Sequence, residues 1–264
     1  MNIIACVKQT PDSAANLTVS NSHVGWGDTQ LVVNPWDEYA VEEALLLKEA
    51  HGGKVTVFSM GPEQAKDALR TCLAVGCDQT VLISDPGLKG SDVSATAYTL
   101  AKAIEKEGAA DLILLGKQAI DGDTGLTPAQ VARYLGVTFL SQVIKIIEID
   151  PAAKTIKVER FMEEGRQVCT ASLPAVVSVV KGINEPRYPS FMGIRKAAKA
   201  DIPVWSAADL GLDPDKIGAN GSTVSWPEIY PPPVHEKKVE MISGATPEDI
   251  AKQLADKIFA EKVI

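Results

Sequence analysis

Short apolar runs of strand length alternate with segments carrying apolar residues at helical spacing through the first half of the chain. That alternation predicts a parallel sheet covered by helices. The opening Met1 to Val7 forms a first strand in this reading, with Val7 inside it. After a polar insertion, Ala40, Val41, Ala44, Leu45 and Leu47 fall at helical spacing between Trp36 and Ala50, and His51-Gly52-Gly53 is a stop signal. Lys54 to Met60 is a second strand. Pro62 occupies a first-turn position, and Ala65, Leu69, Cys72, Leu73 and Val75 share one face of a helix that ends at Gly76. Thr80 to Ser84 predicts a third strand, Asp92 an N-cap for a helix running to Lys106, and Asp111 to Gly116 a fourth strand. These strand–helix units define an expected α/β fold: an open, doubly wound, mostly parallel sheet of the adenine-nucleotide-binding type. Ligands of such sheets sit beyond the carboxyl ends of the strands, at the topological switch point.

From about Val137 the pattern turns antiparallel. Gln142 to Ile149, Lys154 to Met162 and Arg166 to Leu173 read as strands added at the flank of the parallel core, joined by turns at Asp150-Pro151 and Glu163-Glu164-Gly165. Pro174 to Val180 supplies a further apolar strand. The composition then becomes linker-like, with Pro186, Pro189, Pro203, Gly218 to Gly221 and Pro231-Pro232-Pro233. A last amphipathic helix, Pro247 to Lys262, takes Thr246 as N-cap and is expected to bury Ile250, Leu254 and Ile258, with Val263. The expected division is therefore a nucleotide-binding domain over 1–186, and a loop and arm over 187–264 that lies against this domain or a partner chain.

Composition narrows the function classes. The chain has 264 residues, 45% of them hydrophobic, which supports a large core. Its net charge of -8 gives no general attraction to nucleic acid or anionic lipid, so neither is an expected partner. No apolar run approaches the roughly 18 residues a bilayer span requires, and the N-terminus has no basic region of a secretory leader, so a cytoplasmic protein without direct membrane insertion is expected. Cys6, Cys72, Cys77 and Cys169 form no C-x-x-C, and His23, His51 and His235 lack ligand spacing; neither a metal site nor a disulfide framework is expected.

Two strand ends carry candidate chemistry. Met60-Gly61 and Gly116-Lys117 both leave a strand through a glycine, which lets backbone approach a ligand. The second opens a polar loop, Gly116, Lys117, Gln118, Ala119, Ile120, Asp121, Gly122, Asp123, Thr124, Gly125, Leu126 and Thr127, ahead of a helix over Pro128 to Leu135. Amides of such a loop and of the following helix N-terminus are donors for phosphate, and the hydroxyls of Thr124 and Thr127 add to them. An ordinary strand–helix connection, with Thr127 as cap, reads equally well. The loop matches neither G-x-G-x-x-G nor G-x-x-x-x-G-K-[ST], and Asp121 and Asp123 would repel phosphate unless they brace the turn. Asn34-Pro35-Trp36-Asp37 offers Asn34 to an adenine or ribose edge and Asp37 to a ribose hydroxyl, or is a capped helix start. Lys8 lies at a further strand end. Later, Phe191 and Met192 ahead of Arg195 and Lys196 are either a partner anchor or a small satellite core. No convincing catalytic pair is present.

At these residues the chain resembles the beta subunits of electron transfer flavoproteins. The likeness is carried by Val7-Lys8 with Asp12; Asn34-Pro35 ahead of Val41-Glu42-Glu43-Ala44; Gly61-Pro62; Leu114 to Asp121; Leu173 to Val177; and Asn184-Glu185-Pro186-Arg187-Tyr188. The resemblance implies a heterodimer with an alpha subunit carrying FAD, and a nucleotide pocket in this chain holding AMP or a second FAD. That pocket would comprise Cys6, Asn34, Pro35, Trp36, Asp37, Met60 and Gly116 to Thr127. It further implies that Arg187, Tyr188, Pro189, Ser190, Phe191, Met192, Gly193, Ile194, Arg195 and Lys196 face an acyl-CoA dehydrogenase or quinone oxidoreductase, and that the arm embraces the alpha subunit. Ser13 after Asp12 and the quartet Asp121-Gly122-Asp123-Thr124 resemble the electron-bifurcating or Fix-type group, with NADH as possible donor; Gly125-Leu126-Thr127 departs from the usual continuation. FAD is the preferred occupant. A universal-stress-type nucleotide-binding protein without redox role, a self-sufficient homodimer, is the rival from another class. An adenylate-transferring enzyme lacks its expected multi-glycine loop.

Overall fold

The computed structural model describes residues 1–15, 18–20, 23–26, 28–231, 233 and 239–262. In chain order the elements are β1 (Asn2–Cys6), β2 (Gln9–Pro11), β3 (Thr18–Ser20), β4 (His23–Gly25), β5 (Leu31–Val33), α1 (Pro35–His51), β6 (Lys54–Met60), α2 (Lys66–Val75), β7 (Gln79–Ile83), α3 (Val93–Glu107), β8 (Leu112–Gly116), α4 (Thr127–Leu135), β9 (Thr138–Asp150), β10 (Thr155–Met162), β11 (Gly165–Ser172), β12 (Ala175–Val179), α5 (Phe191–Ala198), β13 (Val204–Trp205), α6 (Gly218–Gly221) and α7 (Pro247–Ala260). The main sheet is nine-stranded, in the order β11-β10-β9-β12-β8-β1-β6-β7-β13. Every pairing from β9 to β13 in that order is parallel, and β10 and β11 are antiparallel additions at one edge.

The apolar runs explain this order. β8 and β12 are buried along their whole length, as strands covered on both faces must be. Alternate residues feed two cores. Ile3, Ala5, Val55, Val57, Leu112 and Leu114 pack with Ala40, Val41, Leu45 and Leu69 of α1 and α2. Ile4, Cys6, Phe58, Ile113 and Leu115 pack with Leu100 and Ile104 of α3 and Val131 of α4. The chain winds outward from β1 through β6 and β7, then crosses to β8 on the other side of β1. The switch point therefore lies between the carboxyl ends of β1 and β8.

Several expectations are corrected. Val7 falls just past β1, although its N–H still bonds the Phe58 carbonyl at 2.8 Å. β12 sits inside the parallel sheet, and β9 runs parallel to β12 and antiparallel to β10, so the flank comprises β10 and β11 only. The polar insertion forms two short antiparallel pairs, β2 with β5 and β3 with β4, too brief for any periodicity to reveal. The linker-like stretch around and after Pro203 is structured: β13 closes an edge of the sheet, and Ile202, Leu210, Leu212 and Ile217 are buried.

The chain divides into two units, Met1–Ile229 and Tyr230–Ile264. The expected boundary after residue 186 falls inside the first unit, because α5 packs on α2; a Cβ at Gly193 would lie 2.1 Å from the Ala74 carbonyl oxygen. In the second unit, Thr246 caps α7 as expected, its Oγ1 accepting from the Asp249 N–H at 3.2 Å. Ile250 and Leu254 are exposed and Ile258 is only partly covered, contrary to the expectation of burial. Val263, Pro232 and His235 lie outside the described residues.

Candidate functional site

The switch point is built around two side chains at the start of α1. Pro35 occupies the first helical position, where its missing N–H costs nothing. Asn34 precedes it, and its side chain makes no capping hydrogen bond to the helix. Instead its Nδ2 donates to the Gln118 carbonyl at 2.8 Å and its Oδ1 accepts from the Ile120 N–H at 3.2 Å, splinting the loop after β8. Asp37 accepts from the Lys8 N–H at 2.8 Å and from the Gly116 N–H at 3.0 Å, one carboxylate oxygen each, and so joins the ends of β1 and β8. Both side chains are nearly sealed, Asn34 at 1% and Asp37 at 6% exposure. Burial raises the Asp37 pKa to about 7 against the opposing pull of these amides. The roles expected for Asn34 on an adenine edge and Asp37 on a ribose hydroxyl are taken up by these internal bonds.

Gly116 carries a related correction. A Cβ there would lie 2.5 Å from Asp37 Oδ1 and 2.7 Å from Trp36 Cβ, so what its missing side chain admits is the first turn of α1 rather than a ligand. Cys6 is buried in the second core, with its thiol pKa raised by burial. Met60, partly buried, packs beside the same core at the end of β6.

The loop itself has a distinct pairing pattern. The Lys117 N–H donates to the Val179 carbonyl at 2.9 Å, tying the loop to β12. Lys8 Nζ forms an ion pair with Asp121 at 2.7 Å, and Gln118 Nε2 bonds Asp123 Oδ1. Lys117 Nζ stands 5.8 Å from the centre of the Trp36 ring. Asp123 and Gly125 adopt left-handed backbone, with φ of 53° and 63°, and the Asp123 N–H returns to the Ala119 carbonyl at 2.9 Å. Among the described residues, the N–H groups of Gly122, Thr124, Gly125 and Leu126 have no hydrogen-bond partner. Space beside Gly122 is open. Thr127 is the first residue of α4 rather than its cap; Leu126 precedes the helix and no side chain caps it. The structure thus brings Asn34 to Asp37 and the loop over 116–127 together at the carboxyl ends of β1 and β8, adds Lys8, and leaves Cys6 in the core beneath them. A groove of about 280 Å³, lined by Ile104, Ala109, Ile113, Leu135, Val137 and Pro174, opens at the amino ends of β8 and β12, the opposite edge from these carboxyl ends.

The second candidate set lies apart, beside α1 and α2. Tyr188, Phe191 and Met192 are 96%, 73% and 68% exposed, so the satellite-core reading fails. Ser190 caps α5, its Oγ accepting from the Gly193 N–H at 3.0 Å, and the Arg195 guanidinium lies 6.0 Å from the Phe191 ring. Arg187 does not project: it forks onto Glu42 and reaches Glu49. Glu42 and Asn184 stand in the sequence motifs, but the pairing of Arg187 with Glu42 and Glu49 and of Asn184 with Glu43 is not legible there, because partners some 140 positions apart leave no local spacing signal.

Together these features define a doubly wound α/β protein with a large, mostly parallel central sheet. Residues 27–210 match the electron transfer flavoprotein domain, and the chain belongs to that family. It is 39% identical to the electron transfer flavoprotein subunit beta of Megasphaera elsdenii, with all of both chains covered. It is 37% identical to the protein FixA of Azotobacter vinelandii, over 99% of this chain and 95% of the relative. The subunit CarD of the caffeyl-CoA reductase-Etf complex of Acetobacterium woodii is 37% identical over the whole of both chains. The resemblance read from the motifs thus extends over the full length, and the universal-stress reading falls away.

Proposed function

We propose that this chain is the beta-type subunit of a heterodimeric electron transfer flavoprotein, and that the crevice between β1 and β8 holds the phosphate end of an adenine nucleotide, FAD rather than AMP. The supporting observation is the pairing pattern of the loop over 116–127. Both of its acids are engaged, Asp121 by Lys8 and Asp123 by Gln118, while the amides of Gly122, Thr124, Gly125 and Leu126 are without partners among the described residues. Unpaired donors beside engaged acids suit a phosphate, and the start of α4 adds its dipole. The hydroxyls of Thr124 and Thr127 are further donors at the same place.

The chain's own residues bind and orient. Asn34 and Asp37 hold the strand ends and loop in register, and Lys8 offsets the charge of Asp121. A bound flavin supplies the redox chemistry. The preference for FAD rests on the quartet Asp121 to Thr124 and on Ser13 after Asp12, which resemble the electron-bifurcating or Fix-type group. The wider assignment is flavin-based electron bifurcation with NADH as donor. Its partners are an alpha subunit and an acyl-CoA dehydrogenase or quinone oxidoreductase, the latter meeting the exposed Tyr188, Phe191 and Met192.

The test is to purify the heterodimer, denature it and separate the released nucleotides chromatographically. Flavin in excess of one per heterodimer and no AMP is the expected result. A single FAD accompanied by AMP overturns the FAD assignment, and a heterodimer whose only nucleotide is the flavin of the alpha subunit overturns the cradle itself.

A further inference from the structure

The run over 180–190 links β12 to α5 without helix or strand, yet it is pinned to α1 at two points. Asn184 Nδ2 donates to the Tyr39 carbonyl at 3.0 Å and to Glu43 Oε2 at 2.9 Å. Three residues on, Arg187 grips Glu42 with Nε and Nη2, both at 2.9 Å, and its backbone N–H donates to the same carboxylate at 3.1 Å. Its Nη1 bonds Glu49 at 2.6 Å. Glu42 is buried, so this carboxylate depends on the guanidinium for compensation. The planar fork fixes direction as well as distance, which a single ammonium contact does not. Tyr188 and α5 follow directly, with α5 seated on Ala74 through Gly193.

We propose that Arg187 is a positioning residue: locked by Glu42 and Glu49, it does not reach the redox partner but sets the direction in which Tyr188, Phe191 and Met192 are presented to it. This rests on the reading of α5 as the partner-facing element. The clamp serves docking by pre-ordering an exposed apolar set, which removes part of the ordering cost at association. The arrangement also explains why so apolar a group stands proud of the surface: the run that carries it is held from behind by charge, leaving the apolar side chains largely exposed.

The test uses the full heterodimer and, as probe, a butyryl-CoA dehydrogenase with which the wild type exchanges electrons. Arg187→Gln is expected to raise KM for the dehydrogenase about tenfold with kcat and nucleotide content unchanged. Arg187→Lys should recover part of the loss. The doubly neutral variant E42Q/R187Q relieves the uncompensated carboxylate and should match R187Q in KM. Amide exchange over residues 188–198, which needs no partner, should quicken in both. If R187Q leaves KM unchanged while Phe191→Ala raises it, the clamp inference fails and the docking surface stands. If R187Q raises KM further in an E42Q/E49Q background, where both clamp carboxylates are already neutral, than E42Q/E49Q alone does, Arg187 touches the partner and the inference also fails. If Phe191→Ala leaves KM unchanged but exchange quickens in R187Q, the clamp stands and the docking surface falls.

Discussion

Asp37 shows how a single buried carboxylate couples pH to this fold. Its two amide donors fix β1 and β8 together, but burial dominates and lifts its pKa from 3.8 to about 7. Between those values the folded chain holds a proton that the unfolded chain has released. The group's contribution to stability is therefore fullest below about pH 4 and is lost as pH rises through about 7. Asn at this position offers one acceptor to two donors, so Asp37→Asn should cost about 1–3 kcal/mol for the amide left unsatisfied. Denaturant titrations at about pH 5 and about pH 8 should show the wild type losing more stability with rising pH than D37N; parallel pH profiles would refute the assignment. The cysteines give a second residue-scale expectation. Burial raises the thiols of Cys6 and Cys72, and that of Cys77 to about 12, whereas Cys169 is partly exposed on β11. A native-state thiol titration with Ellman's reagent should find one fast group, abolished by Cys169→Ser, with the rest reacting only on unfolding. Rapid reaction of more than one thiol in the native protein would contradict this.

At the scale of elements, glycines separate packing from loop chemistry. Gly193→Ala drives a Cβ into the Ala74 carbonyl, so α5 must lift from α2, at a cost of about 1–3 kcal/mol in the manner of an overpacked core. Gly122→Ala meets open space at ordinary backbone angles and should leave the melting temperature near the wild-type value. Calorimetry on the pair checks both; equal melting temperatures would show that α5 is not seated as described. The same contrast marks how far the sequence could be read. Caps are local, and Asp92 and Thr246 are visible in the sequence because each cap lies three residues from the amide it accepts. The strands β1, β6, β7 and β8 are visible because two-sided burial demands unbroken apolar runs. The glycine at 116 signals a close approach in the sequence but not of what: a Cβ there would meet Trp36 and Asp37 at the start of α1. Asn34 and Asp37 stand out in the sequence as polar residues flanking a first-turn proline, but their bonds to Gln118, Ile120 and Gly116 join segments some 80 positions apart, and no periodicity encodes that.

At the scale of the whole molecule, all nine strands of the main sheet and both apolar cores lie before residue 230, whereas α7 stands in a unit of its own. Within that unit, Thr246 closes the first turn and Lys257 pairs with Glu240, but Ile250, Leu254 and Phe259 are exposed along the helix. A helix of 14 residues owes its stability in water chiefly to what its apolar face packs against, and the family resemblance implies that the alpha subunit supplies that covering surface. A chain ending at Ile229 should therefore keep the melting temperature and nucleotide content of the full chain while losing co-purification with the alpha subunit. Substituting Leu254 and Phe259 by Ser in the full chain should weaken association in the same direction, by about 2 kcal/mol or more for a central apolar contact, without altering the melting of the sheet domain. Sedimentation velocity on mixtures with the alpha subunit reads the first quantity and calorimetry the second. Full-strength association by the truncated chain would place the covering surface elsewhere.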